Sequence, residues 1–480
     1  MGVLKDLEPA EVFARFEEIA AIPHGSRNTK KISDYLKDFA KEKGLKCIQD
    51  VSDNIIIFKD AYPGYEDSEP VILQAHMDMV CEKTDGTDID FEKDGLKLVV
   101  SDGTLSAEGT TLGGDDGIGV AYILAILSAD DIKHPPIEAV ITSDEEIGML
   151  GAAALDVSPL SAKRMINIDS EEEGIFTCGC AGGITADCRL PVKKCDVNGT
   201  LLEIELKDFT GGHSGEEINK GRANPNQIMG RLLYSAGDGI NILSVEGGLK
   251  DNAIPRSCKA RIVTDEKNKE ELANRIEGLF SQIRKEYEIT DPSIRCEIKK
   301  GGSYNGKAFD KSSTKDCVRL LYTLPGGVIR MSPVIKGLVQ TSLNMGILKT
   351  SEDEVIFGYS IRSSVTSEKT DLCRRLDCIF GSAGGYIDYS GDYPAWEYRE
   401  DSPLRDIMTE SYASVTGREA CVNVIHAGLE CGIFAGKIPD IDCVSIGPDL
   451  KDIHTPQERL DISSAQRMWR LLLEVLKRLK

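Results

Sequence analysis

The sequence predicts an α/β protein whose mainly parallel mixed sheet is flanked by helices and split by an inserted α+β domain. Three observations carry this. Apolar strands alternate with helical segments through residues 1–183. The hydrophobic period drops to two soon afterwards, and the strand–helix alternation resumes in 394–480. Continuous apolar strands with intervening helices mark a sheet covered on both faces, whereas period-two alternation marks a half-exposed antiparallel strand.

In chain order, residues 11–21 have apolar positions at helical spacing and stop before Pro23, and 29–43 repeat the pattern up to Gly44. Strands are predicted at 54–58 and 71–75, a helix at 116–127, and strands at 137–142 and 165–168. The apolar run 117–129 is shorter than the ~18 residues that suggest a membrane span and reads as a buried helix. Composition changes at Cys178-Gly-Cys-Ala-Gly-Gly183, and 202–207 alternate apolar with polar. A strand (260–264), a helix (267–287) and a strand (293–299) follow, and a similar trio recurs at 354–362, 367–380 and 386–389. Residues 184–393 therefore read as one inserted α+β domain with a suspected internal duplication. A helix at 401–415, a strand at 442–446 and an amphipathic helix at 463–480 complete the split first domain.

The 57 Lys and Arg against 79 Asp and Glu leave a net charge of −22. Nucleic acid and anionic membrane are thereby excluded as partners, since both need a basic footprint. The 14 cysteines are scattered and read as reduced thiols of a cytoplasmic protein. Cys178 and Cys180 form a lone Cys-x-Cys, read as a structural loop. The first residues carry charges where a secretory apolar stretch would lie, so no secretory segment is expected.

Five segments place acids and histidines where apolar strands end. His76 and Asp78 follow the strand 71–75, at a spacing that lets a carboxylate orient an imidazole whose free nitrogen binds a metal. Asp115 and Asp116 lie between glycines at the start of the long apolar helix, where the backbone can approach another group closely. Asp144, Glu145 and Glu146 follow the strand 137–142, and acids side by side are costly without a cation. Asp169 ends the strand 165–168, and His454 follows the strand 442–446 by a short loop. In open α/β sheets, sites collect at the carboxyl ends of strands. Nitrogen and carboxylate ligands without thiolate suit zinc, manganese or cobalt. Asp115, Glu146 and Asp169 with a hydroxide would balance two divalent cations and leave Glu145 free as a base.

The segments QAHMDMVCEK, TTLGGDDGIGVA, TSDEEIGMLGA, INIDSEEEG, GGHSGEEI, HAGLECGIF and DIHTPQERLDI resemble the dinuclear-zinc exopeptidases. That family includes peptidase T, peptidase V, carboxypeptidase G and the acetylornithine deacetylases, and the nearest resemblance is to its aminoacyl-histidine dipeptidase subgroup. The segments run from residue 74 to 462. The resemblance implies a zinc-exopeptidase-like catalytic domain with a lid inserted in it. It implies that His76 and Asp169 hold one zinc, Glu146 and His454 the other, and that Asp115 bridges them. Asp78 would orient His76, and Glu145 would act as general base and acid. Gly117 stands where the wider family often has Lys, a departure shared by the subgroup. In the lid, His213 would donate to the oxyanion, and Asn252 and Arg362 would hold substrate, Arg362 through its planar fork on a terminal carboxylate. Glu430 is the candidate partner of the substrate's free amine, and His426 is left without a role. His24 and His134 read as structural. Gly301–Lys307 resembles a phosphate loop, but Ala308 stands where Ser or Thr would bind magnesium, so no nucleotide is expected.

The expected function is hydrolysis of dipeptides, Xaa-His or broader, with two divalent metal ions, zinc first and manganese or cobalt next. The rivals are an N-acyl-amino-acid deacylase on the same fold and, more remotely, a non-catalytic metal-binding protein. A site completed within one chain and a homodimer both stay open.

Overall fold

The computed structural model describes residues 2–480 and divides into two compact units. The first comprises Met1–Cys180, Trp396–Val424 and Leu429–Lys480, and the second Ala181–Ala395 with Ile425–Gly428. Residues 425–428 thus leave the 394–480 segment to which the sequence reading assigned them. The Ala181 N–H donates to the carbonyls of Ile425 (3.1 Å) and Ala427 (3.0 Å), which ties this segment to the second unit.

The first unit is built on an eight-stranded sheet. Its strand order is Lys46–Gln49, Ile55–Lys59, Ile137–Thr142, Val71–His76, Arg164–Asn167, Asp442–Ser445, Ile175–Cys180 and Cys421–Ile425. The four central strands run parallel, and the first two pair antiparallel. Every residue of Val71–His76 and Ile137–Thr142 is buried, which explains why both strands are mostly apolar, with Gln74, His76, Glu138 and Thr142 as buried polar exceptions. The helix Gly114–Ser128 is buried from Asp116 to Leu127, so it has no polar stripe. Phe13 and Phe16 of Ala10–Ala20, Leu36 of Lys30–Glu42 and Leu471 of Ile462–Arg478 join it in one core. Each such side chain contributes about 1.5–3 kcal/mol by burial. Parallel strands share a direction, so their carboxyl ends share one edge, where His76, residues 144–146 and Asp169 emerge.

Cys178 and Cys180 lie in the strand Ile175–Cys180, not in a loop. Both are buried free thiols, and burial pushes them up to about 12 and about 11, which removes the thiolate that metal or redox chemistry needs. A small sheet orders Leu450–Lys451, Arg459–Asp461, Thr104–Ala107 and Leu98–Ser101. Its first two strands form a hairpin whose loop carries His454. Among the described residues, no helix is long and apolar enough to cross a membrane.

The second unit is a nine-stranded antiparallel sheet with helices packed on one face. Its order is Arg295–Phe309, Lys194–Lys207, Cys258–Thr264, Ile240–Gly247, Val339–Thr350, Glu354–Ser363, Gly182–Pro191 and Tyr386–Tyr393, with Gly327–Met331 beside Val339–Thr350. The two halves mirror one another in order and in connection. In each, the first strand lies between the third and fourth, and the second pairs with the third. A helix, Lys269–Glu286 or Thr366–Ser382, links the third strand to the fourth. Leu202, Ile204 and Leu206 alternate inward and share a core with Leu232, Leu272, Leu320 and Leu376 from four helices. Gly301–Lys307 lies within the long strand Arg295–Phe309, so the phosphate-loop likeness has no structural counterpart.

Candidate metal centre

His76 closes a central strand and is 1% exposed. Its Nε2 lies 3.1 Å from Asp115 Oδ1 and 3.4 Å from Asp169 Oδ1. The other Asp115 oxygen, Oδ2, lies 3.2 Å from His454 Nε2, and His454 Nε2 lies 2.9 Å from Glu146 Oε1. Asp115 therefore stands between two imidazoles with one oxygen toward each. Three overlapping groups have ligand atoms within 4.8 Å of one another: His76 with Asp116 and Asp169, His76 with Glu145 and Glu146, and Asp115 with Glu146 and His454.

The electrostatics of this cluster suit a cation. Burial pushes up the carboxyls of Asp116, Glu145 and Asp169, the last to about 6, and neighbouring acids add to each shift. Burial acts upward on Asp115 as well, but hydrogen bonds with His454 and His76 outweigh it and draw that carboxyl down. A hydrogen bond to Asp115 and the close Glu146 carboxylate raise His454 to about 10, and His76 is raised by Asp169 and Asp115 against its own burial. Protons thus sit where positive charge is wanted. Glu146 Oε1 is buried and accepts no hydrogen bond, because the close approach of His454 lacks the angle for one. An orphaned carboxylate oxygen beside a ring nitrogen fits a divalent metal ion with nitrogen and oxygen ligands.

The groups around the donors differ from the sequence reading in three respects. His76 Nδ1 meets the carbonyl oxygen of Asp78 at 2.9 Å, while the Asp78 carboxylate is 3.5 Å away. The carboxylate is occupied elsewhere. It accepts the N–H groups of Glu145 (2.9 Å) and Glu146 (3.3 Å) and the Ser26 hydroxyl (2.8 Å). It therefore fixes the turn bearing both glutamates, and the imidazole is oriented mainly by backbone. Second, Asp116, left out of the expected ligand set, accepts the His76 N–H and the Gly119 N–H at 3.2 Å each, so it links the helix start to the strand end. Its place at the helix start was legible, but its bond to a distant strand was not. Asp144 points away and accepts the Arg27 N–H at 2.6 Å.

Third, Glu430 does not present a carboxylate to solvent. It is fully buried, and its Oε2 accepts from Gln74 Nε2 and the Thr142 hydroxyl, each at 2.6 Å. Burial pushes its carboxyl up to about 8. Asn167 in turn donates to Gln74 Oε1. Gln74, Thr142 and Asn167 each lie two residues before His76, Asp144 and Asp169, so this polar layer underlies the strand ends that carry the acids. The expected role of Glu430 as an amine partner is corrected accordingly. His24 and His134 are buried and bonded to the carbonyls of Ile22 and Pro135, as structural histidines are.

Within the second unit, His213 lies in the two-stranded pair Gly212–His213 with Ala253–Ile254, next to Asn252, whose carbonyl accepts the Ser214 N–H at 2.9 Å. Arg362 is 9% exposed. Its Nη1 donates to the Tyr393 hydroxyl at 3.0 Å, and its Nε has no partner. Burial and the Arg362 charge lower both His213 and His426, the latter to about 4. His426 Nε2 bonds the hydroxyl of Ser342, the residue opposite Arg362 in the sheet.

A cytosol non-specific dipeptidase of Escherichia coli is 36% identical over 99% of both chains. The crystal structure of an aminoacylhistidine dipeptidase from Vibrio alginolyticus superposes with a TM-score of 0.93 at 34% identity, covering 99% of this chain and 98% of that one. An aminopeptidase from Bacillus cereus shares the fold, with a TM-score of 0.58 at 16% identity over 98% and 99% of the two chains. The sequence profile of peptidase family M20/M25/M40 matches residues 72–478, and the chain belongs to that family.

Proposed function

We propose that the protein is a cytoplasmic dipeptidase that uses two divalent cations. The observation that carries the two-ion reading is Asp115, whose Oδ1 and Oδ2 face His76 and His454 separately. In this reading His76 and Asp169 hold one ion, Glu146 and His454 the other, and Asp115 bridges them. When bound, the ions acidify water and polarise the peptide carbonyl. Zinc is the expected metal, with manganese and cobalt next.

Glu145 is the general base. The Asp78 carboxylate holds its backbone, and its side chain lies with His76 and Glu146. It takes the proton of the attacking water and delivers it to the leaving amine. His213 supplies the oxyanion donor. Its Nδ1 accepts the Glu216 N–H at 3.3 Å, which leaves the proton on Nε2, and its lowered pKa keeps the ring neutral. Arg362, nearly buried with its Nε unpaired, suits the terminal carboxylate of a dipeptide. Asn252 completes the substrate contacts.

Because Glu430 is buried, it does not separate a dipeptidase from an N-acyl-amino-acid deacylase. The full-length likeness to two dipeptidases favours the former. The test is a panel of dipeptides, Xaa-His included, against their N-acetylated forms, using metal-loaded protein. Cleavage of the free dipeptides is expected, and cleavage of the acetylated forms alone would overturn the reading.

A further inference from the structure

We infer that Glu458 is the positioning residue for the bridging carboxylate Asp115, an inference that rests on the two-ion reading above. Glu458 is 3% exposed and lies in the hairpin loop that carries His454. Its carboxylate accepts four consecutive backbone N–H groups. Oε2 takes those of Leu112 (2.7 Å) and Gly113 (3.1 Å), and Oε1 takes those of Gly114 (2.9 Å) and Asp115 (3.3 Å). Successive N–H groups converge on one anion only when the chain turns sharply. Gly113 makes that turn at φ 64°, where a side chain would be strained, and a Cβ on Gly114 would lie 3.2 Å from Glu458 Oε1 and 2.7 Å from Leu450 Cδ2.

The consequence reaches both metal positions. Asp115 and His454 come from segments far apart in the chain, yet they must meet at one place. Glu458 joins those segments, because its side chain holds 112–115 while its own N–H donates to Thr455 O at 3.1 Å, one residue beyond His454. Gly117 has no side chain with which to support Asp115, and the clamp acts on the Asp115 backbone instead. A buried carboxylate with four N–H donors is rigid, since every bond is charge-assisted. Asp115 serves both ions, so loosening it weakens both sites together, whereas loss of an ordinary helix cap would lower stability alone.

The test uses Glu458→Gln and Glu458→Ala in the full chain. Glu458→Gln keeps the shape but turns an amide toward two of the four N–H groups. Metal-free protein is titrated with Zn2+ against a chromophoric chelator, and Tm is read with and without metal. Wild type should bind two ions. Both variants should bind both ions about 10–100-fold more weakly, the range typical for residues that orient ligands, and should show a smaller metal-induced rise in Tm. Wild-type affinities in Glu458→Gln, with only the metal-free Tm lowered, would overturn the assignment and leave the dipeptidase reading standing. A wild type that binds no metal would overturn both. Should Glu458→Ala fail to fold, hydrogen exchange of the wild type decides independently. The amides of 112–115 should be strongly protected without metal, and exchange as fast as in an open loop contradicts the clamp.

Discussion

The Asp78 carboxylate accepts the backbone N–H of Glu145 at 2.9 Å, so the acid beside the His76 imidazole also fixes the backbone of the proposed general base. Glu146 donates its N–H to the same carboxylate, and Ser26 adds a third bond. Asp78→Ala should therefore lower kcat about 10–100-fold, with a small change in KM. Ser26→Ala, which leaves the backbone bonds in place, should cost less than Asp78→Ala. Steady-state kinetics on a dipeptide separates the two, and equal effects would contradict the ordering.

Glu145 is expected to move protons rather than hold metal. Glu145→Ala should lower kcat by at least about 10²–10⁴-fold while metal uptake per chain is unchanged. Elemental analysis beside a turnover assay checks this. Near-normal turnover would remove Glu145 from the mechanism.

Glu430 is predicted to act as a buried structural carboxyl. Glu430→Ala takes the 2.6 Å acceptor from the Gln74 amide and the Thr142 hydroxyl and leaves each only a 3.3 Å bond, to Thr142 Oγ1 and to the Ala75 carbonyl, at a cost of about 1 kcal/mol for each strong bond lost. The Tm should fall clearly. KM for a dipeptide should stay within a few-fold in Glu430→Gln, because the carboxylate does not face solvent. A large rise in KM specific to free-amine substrates would restore the amine-partner role.

How far the sequence went depended on how local the signal was. The central strands and the helix after Asp115 were legible because continuous apolar runs have few other readings. Strand-end acids were legible because sheet topology collects them. Glu458 was not, since in Pro-Gln-Glu-Arg-Leu it resembles a solvated charge. Only the hairpin 450–461, with strands too short to show periodicity, carries it to Leu112–Asp115. Glu430 was misread for a related reason. An acid at the start of the helix Glu430–Lys437 looks solvated, and its burial is decided by Gln74 and Thr142, far away in the chain. For Asp78, residue spacing brought the carboxylate to His76, 3.5 Å from Nδ1, but could not show that the Asp78 carbonyl lies closer, at 2.9 Å.

His426 gives a pH dependence with a definite sign. Its ordinary value of 6.5 falls to about 4 in the fold, because burial and the nearby Arg362 charge disfavour the imidazolium. Above 6.5 the ring is neutral folded or unfolded, and stability is unaffected. Between 6.5 and about 4 only the unfolded chain takes up the proton, so stability falls as pH falls, by about 3 kcal/mol in total. His426→Gln should remove that share. Denaturant unfolding of metal-free wild type and variant across this window checks it, and parallel curves would contradict it.

The central claim is that one carboxylate, Asp115, joins two metal positions. Its most direct test is the number of Zn2+ ions bound per chain in wild type and in Asp115→Ala, measured by titration of metal-free protein. Two tight ions in the wild type and the loss of both from the variant are predicted. A single wild-type ion, or a variant that keeps either ion at full affinity, would contradict the account.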